Sequence, residues 1–140
     1  MAIDTATNFI IKSLALAQGG EVFVLKMNTV RIVDLIEVLI EYFAKKHNKT
    51  IESIKLNEIG MFAGEKLYEE LFSTEEAERT YETDGMYIII PQLPEVSASI
   101  DINGYPKSEK FDVTKPFNSK EGPYLSKKEI KIFLTQKKII

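Results

Sequence analysis

The stretch Gly60-Met61-Phe62-Ala63-Gly64-Glu65-Lys66-Leu67-Tyr68-Glu69-Glu70 gathers residue types that can do chemistry. Its two glycines bracket a loop expected to follow a strand, and Glu65-Lys66 is expected to open a short helix reaching Leu71. Backbone donors at a helix start can receive an anion, and a carboxylate accepts hydrogen bonds from ribose or amide groups. On spacing alone, a plain strand-to-helix turn with a charged first turn explains the same residues better. Other chemistry is sparse. His47 sits beside Lys45, Lys46 and Asn48 near the end of an amphipathic segment, where a histidine serves the helix dipole, and it is expected to have no catalytic part. The pairs Glu69-Glu70 and Glu75-Glu76 have the chemistry for a hard cation, but acids in first turns more often stabilise helices. The chain holds no Gly-x-Gly-x-x-Gly, phosphate loop or Gly-x-Ser-x-Gly elbow.

Composition bounds the rest. The 140 residues include no cysteine and one histidine, with 44% hydrophobic and 28% charged side chains. That length buries a core without disulfides or metals. A disulfide scaffold, a thiol nucleophile, a cysteine-ligated metal and any site needing two histidines are excluded. The net charge of −3 argues against nucleic acid as main partner. The N-terminus lacks the pattern of a signal peptide, and apolar stretches such as Ile88-Ile89-Ile90 are far too short to span a membrane, so no membrane span and a cytoplasmic location are expected. Charge is uneven: residues 51–85 hold ten acids and three bases, and residues 107–140 hold nine bases and four acids. Two solvated faces are the simpler explanation.

The elements that must position these groups read as follows. A helix is expected over Asp4 to Ala17, closed by Gln18-Gly19-Gly20, then a strand at Glu21–Leu25. Asn28 and Thr29 are candidate caps for a helix from Val30 to about Lys46. Ile32, Leu35, Ile36, Leu39 and Phe43 mark its apolar face, against Arg31, Asp34, Glu37, Glu41 and Lys45. A second strand is expected over Ile51–Ile59, a helix over Glu65–Leu71, a capping box at Ser73–Glu76, an extended segment at Tyr81 and a third strand at Met86–Ile90. Residues 93–125 hold four prolines and no clear period, and read as a loop or linker. A second capping box, Ser126–Glu129, opens a helix carrying Ile130, Phe133 and Leu134. The expected class is α/β: a small, short-stranded, partly parallel sheet with flanking helices. The expected organisation is a body at 1–92, a linker at 93–125 and a docking helix at 126–140.

The run Gly64-Glu65-Lys66-Leu67-Tyr68-Glu69-Glu70 resembles the Gly-Glu-Lys-Leu-(His/Tyr)-Glu-Glu signature of CapD-type polysaccharide-biosynthesis enzymes. These are extended short-chain dehydrogenase/reductases and include UDP-N-acetylglucosamine 4,6-dehydratases and 4-epimerases. Met1-Ala2-Ile3 through Leu14, Gly19 through Met27, and Val30-Arg31-Ile32-Val33-Asp34-Leu35 are similar to further family motifs in the same order, and Tyr124 through Leu134 is similar to its short C-terminal element. The resemblance implies the C-terminal substrate-binding lobe of such an enzyme. The family's NAD(P)-binding Rossmann domain, with its glycine-rich loop and Tyr-x-x-x-Lys pair, would lie N-terminal to it. No cofactor site and no catalytic residue are therefore expected in this chain; its tyrosines and lysines are themselves read as offering no close Tyr-x-x-x-Lys spacing. The ligand expected of a functional lobe is a UDP-sugar, and the partner a Rossmann domain or a second copy. The family pattern Gly-x-Arg-Pro-Gly-Glu-Lys puts a diphosphate-binding arginine where Phe62 stands, a proline where Ala63 stands and a ribose-holding glutamate at Glu65. Loss of that arginine is expected to cost a diphosphate about 1.5–3 kcal/mol. The alternative is a non-enzymatic interaction module that dimerises through the face a Rossmann domain would cover.

Overall fold

The structure is a computed structural model describing residues 3–140, so Met1 and Ala2, which begin the first family-like motif, lie outside the described residues. The chain divides into two compact units.

The first unit comprises the chain up to Met27 together with Glu70–Asn118. It holds helix α1 (Ile3–Leu16), strand β1 (Val22–Leu25), helix α3 (Thr74–Ala77), strands β2 (Thr80–Glu82) and β3 (Met86–Ile89), helix α4 (Pro94–Ser97), a 3-10 turn at Ile102–Gly104 and strand β4 (Glu109–Lys110). The sheet has four strands in the order β1-β3-β2-β4, every pairing antiparallel. The expectation of a partly parallel, three-stranded sheet is thereby corrected. The apolar run at 86–90 is explained by burial on both faces. Met86, Ile88 and Ile90 point with Ile100 and Tyr105 to a cluster that Phe9 and Leu16 of α1 cover. Tyr87 and Ile89 point the other way, toward Phe72, Ala77 and Phe111.

The stretch 93–125 is not structureless. Phe111 and Phe117 lie 5.3 and 5.2 Å from the Phe72 ring, α4 and β4 fall within it, and Lys115 and Lys107 pair with Glu82 and Asp84 at 3.1 and 2.9 Å. Prolines punctuated this part of the sequence and hid its aromatic anchors. Gln18 holds the 3-10 turn by a two-way amide clamp: its Nε2 donates to the Asp101 carbonyl at 2.8 Å, and its Oε1 accepts from the Asp101 N–H at 2.7 Å.

The second unit comprises Asn28–Glu69 with Ser119–Ile140. Helix α2 (Ile32–Lys46) packs on helix α5 (Lys127–Gln136) through Val38, Ile130 and Leu134. The Ser126 capping box forms as the sequence implies: Ser126 accepts from the Glu129 N–H and Glu129 from the Ser126 N–H. The face of α2 differs from expectation. Asp34, Val38 and Ala44 are its buried positions, while Ile32 and Phe43 are exposed, because α5 seats against the Leu35–Val38–Leu39 side. Neither Asn28 nor Thr29 caps the helix; Arg31 occupies that position in extended conformation, and no side chain caps the first turn.

Two further expectations fail in this unit. Residues 51–59 form a 3-10 turn at Ile51–Ser53 and then irregular chain, leaving Leu56 and Ile59 exposed. A strand needs a partner ladder, and none of the sheet's strands pairs here. Residues 65–71 form no helix. The Glu69 N–H donates to Ser119 Oγ and the Glu69 carbonyl accepts from the Ser119 N–H, both at 2.8 Å, while the Leu71 N–H donates to the Phe117 carbonyl at 2.9 Å. Those pairings use the backbone groups that a helix would need.

Candidate functional site

The Gly60–Glu70 segment builds its local structure around a turn. The Glu65 N–H donates to the Phe62 carbonyl at 3.1 Å, closing a four-residue turn whose third residue, Gly64, has φ +90°. That is the type II pattern, which demands positive φ at its third position and so glycine. The Glu65 carboxylate closes the same turn from outside: its Oε2 accepts from the Phe62 N–H at 2.8 Å.

This turn forms one side of an open groove of about 1000 Å³. Glu65, Lys66, Tyr68 and Glu69 line it from this segment, Arg31 to Val33 from the start of α2, and Ser119, Lys120 and Tyr124 from the returning chain. Tyr124 is held beside α2 because Thr29 and Tyr124 form a parallel bridge and the Leu125 N–H donates to the Thr29 carbonyl at 2.9 Å. Its hydroxyl donates to the Lys120 carbonyl.

Three cations therefore line one concavity: Arg31, Lys66 and Lys120. Each aromatic of the groove carries one of them. The Arg31 guanidinium lies over the Tyr124 ring at 5.9 Å, and the Lys120 ammonium over the Tyr68 ring at 5.6 Å. Arg31 Nε donates to Asp34 Oδ2 at 2.7 Å; that bond, and then the charge of Asp34, raise the Arg31 pKa above its ordinary value. The uncapped first turn of α2 leaves backbone N–H groups at the same end. Chemically the groove suits a polyanion that also carries a flat or hydroxylated group.

The structure brings Glu65 to this groove and leaves Phe62 one turn residue away, 63% exposed and outside its lining. Arg31 is the functional candidate that residue spacing did not single out; the sequence places it on the polar face of a helix, and residues distant in the chain, Tyr124 and Gly64–Glu69, line the groove beside it. His47 ends α2, with its ring stacked 6.3 Å from that of Phe43, away from the groove lining. Among the described residues no group of acids and histidine is arranged to hold a metal ion. The Tyr105 phenol, in the first unit, is pushed up to about 12, chiefly by burial and then by the charge of Glu21, so it stays protonated at neutral pH.

The expectation that no Tyr-x-x-x-Lys spacing occurs is incorrect: Tyr42/Lys46 and Tyr124/Lys128 both have it. Neither pairing is built as a proton-transfer couple. Lys46 lies over the face of the Tyr42 ring, 5.5 Å from its centre, and the Tyr124 hydroxyl is spent on the Lys120 carbonyl.

Comparison with known proteins gives this site its context. The family described as polysaccharide biosynthesis protein matches residues 1–91. An uncharacterized membrane protein of Methanocaldococcus jannaschii is 40% identical over 136 residues, 97% of this chain and 37% of that protein. A UDP-N-acetylglucosamine 4,6-dehydratase (inverting) of Campylobacter jejuni is 27% identical over 134 residues, 93% of this chain and 37% of the enzyme. The solved structure of Pen from Bacillus thuringiensis superposes on the whole chain with a TM-score of 0.80 at 31% identity, and the match covers 38% of Pen. The chain thus spans little more than a third of the length of these relatives. Among the described residues no helix is long and apolar enough to cross a membrane. On the match over residues 1–91, the chain belongs to the polysaccharide biosynthesis protein family.

Proposed function

We propose that this chain is the C-terminal nucleotide-sugar-binding lobe of a UDP-N-acetylhexosamine dehydratase or epimerase, working in the cytoplasm on precursors of surface polysaccharide. The observation that carries the reading is the groove: Arg31, Lys66 and Lys120 supply charge for a diphosphate, and Glu65 supplies an acceptor for ribose hydroxyls. The similarity to a UDP-N-acetylglucosamine dehydratase over 93% of the chain supports the same ligand class. Phe62 stands beside the site in place of the family's arginine, and Arg31 carries the diphosphate contact. NAD(P) chemistry belongs to a glycine-rich dinucleotide site, and these 140 residues contain no such loop. The lobe by itself binds substrate and leaves the reaction to a Rossmann partner. Calorimetric titration with UDP-N-acetylglucosamine is the test. Millimolar or tighter binding that weakens in Arg31→Ala and in Glu65→Ala is the expected result; absence of binding by the wild-type chain refutes the reading.

A second reading, an interaction module without a nucleotide ligand, is favoured by α1. Its Ile3, Ile10 and Leu14 are exposed on the side away from Phe9 and Leu16. Light scattering tests it: a stable dimer combined with no UDP-sugar binding supports this second reading over the first.

A further inference from the structure

Asp34 presents a problem of burial. It is 7% exposed, in the first turn of α2, and its recorded hydrogen-bonding partner is Arg31 at 2.7 Å. An acid in a first turn serves the helix dipole without being buried, so burial suggests a further task. The pairing engages Arg31 through Nε alone. Guanidinium is a rigid planar fork, so fixing Nε fixes where the Nη1 and Nη2 donors lie. The Tyr124 ring, with its centre 5.9 Å from the guanidinium carbon, flanks the group on a second side at cation–π distance. Tyr124 is itself held by the Thr29 bridge and by its hydroxyl bond to the Lys120 carbonyl. Arg31 is thus held on two sides by groups that do not consume its terminal donors.

We infer that Asp34 is a positioning residue for phosphate recognition, presetting the Arg31 guanidinium so that its Nη groups meet a diphosphate without first being ordered. The inference rests on the proposed nucleotide-sugar reading and concerns the same groove. A long, solvated arginine side chain loses rotamer freedom when it grips a ligand; an arginine already held by a buried carboxylate has lost that freedom on folding. Lys66 and Lys120 supply charge without the planar fork. The affinity that depends on geometry therefore passes through Arg31, and the dependence on Asp34 passes through Arg31 in turn.

The full chain is titrated with UDP-N-acetylglucosamine, uridine and inorganic diphosphate, as wild type, Asp34→Asn, Asp34→Glu, Arg31→Ala and the Asp34→Asn/Arg31→Ala double variant. Arg31 Nε–Hε is followed by NMR in the wild type and the two Asp34 variants that retain it. Arg31→Ala is expected to weaken the UDP-sugar about tenfold or more, as loss of a charge-assisted contact does. Asp34→Asn is expected to weaken it several-fold, Asp34→Glu to restore part of the loss, and the double variant to bind no worse than Arg31→Ala. Uridine, lacking phosphate, is expected to be insensitive to Asp34→Asn, which a merely structural role would not produce. Penalties that add in the double variant, or uridine weakened as much as the UDP-sugar, overturn the inference. The diphosphate arm separates it from the functional reading. Diphosphate that moves the wild-type Arg31 signal but not that of Asp34→Asn, with no UDP-sugar binding, upholds the positioning and refutes the ligand. Diphosphate that moves both signals equally, or neither, refutes the positioning whatever the sugar does.

Discussion

Replacing Gly64 by alanine isolates the turn that presents Glu65. A Cβ at Gly64 meets no atom within 4 Å, so the substitution causes no clash and its whole cost is backbone. The residue sits at φ +90°, and holding an L-residue in positive φ costs roughly 1–2 kcal/mol. Alanine also narrows the unfolded ensemble, which returns roughly 0.4–1 kcal/mol. The net is a loss of about 1 kcal/mol, or about fivefold in the equilibrium for opening the turn. Because the turn is an exposed loop, it can open locally without global unfolding, and a melting curve would understate the effect. Native-state hydrogen exchange of two amides reads it directly: Glu65, bonded to the Phe62 carbonyl, and Phe62, bonded to the Glu65 carboxylate. Both should exchange about fivefold faster in Gly64→Ala. Ala63→Pro should act with the opposite sign, since proline suits the second position of a type II turn and the Ala63 N–H makes no hydrogen bond recorded among the described residues. Unchanged exchange in Gly64→Ala, or faster exchange in Ala63→Pro, would refute the type II assignment.

Two predictions concern stability away from the groove. Ile130→Ala, at a position 1% exposed where α5 meets α2, should cost about 2–5 kcal/mol in urea unfolding, and a value under about 1 kcal/mol would mean that α5 does not seal that core. Glu82 is held below its usual 4.5 first by the hydrogen bond from Lys26, at 2.6 Å, and then by Lys115 against the opposing effect of burial. A carboxylate depressed in the folded state adds stability above pH 4.5 that is lost as pH falls through the folded value, so acid unfolding should show a shallower loss in Glu82→Gln; parallel curves for the two proteins would remove Glu82 from that transition.

The parts of the fold that were legible in the sequence are those with local causes. Both serine capping boxes, the Gln18-Gly19-Gly20 stop after α1 and the β-rich runs of β1 and β3 follow from residues within a few positions of one another, and the structure has them all. The errors are non-local. Nothing near residue 65 announces that the Glu69 backbone pairs with Ser119, some fifty positions on, and that pairing decides against a helix there. The same holds for residues 51–59, whose alternation promised a strand that no ladder accepts. Arg31 was missed for a related reason. It was assigned to the polar face of a helix, whereas Tyr124 and the Gly64 turn, both distant in sequence, are what make its surroundings a groove.

Glu65 carries two duties in this arrangement, and they compete in any simple deletion. Its Oε2 caps the turn through the Phe62 N–H, while Oε1 has no hydrogen bond recorded among the described residues and is the atom left for a ribose hydroxyl. Glu65→Ala removes both, so a loss of UDP-sugar affinity in that variant cannot by itself separate a contact from a collapsed turn. Glu65→Gln separates them. The amide oxygen still accepts from the Phe62 N–H, but the acceptor is neutral and one of its two faces becomes a donor. Both bonds lose their charge assistance, worth about fivefold, but the ribose hydroxyl loses its acceptor as well, so if the carboxylate holds ribose, UDP-N-acetylglucosamine should weaken by clearly more than Phe62 exchange quickens. If Glu65 only closes the turn, affinity should follow Phe62 protection in both variants, changing little in Glu65→Gln and falling together with that protection in Glu65→Ala. Loss of affinity in excess of the loss of protection is thus the signature of a ligand contact, and its absence would confine Glu65 to the turn.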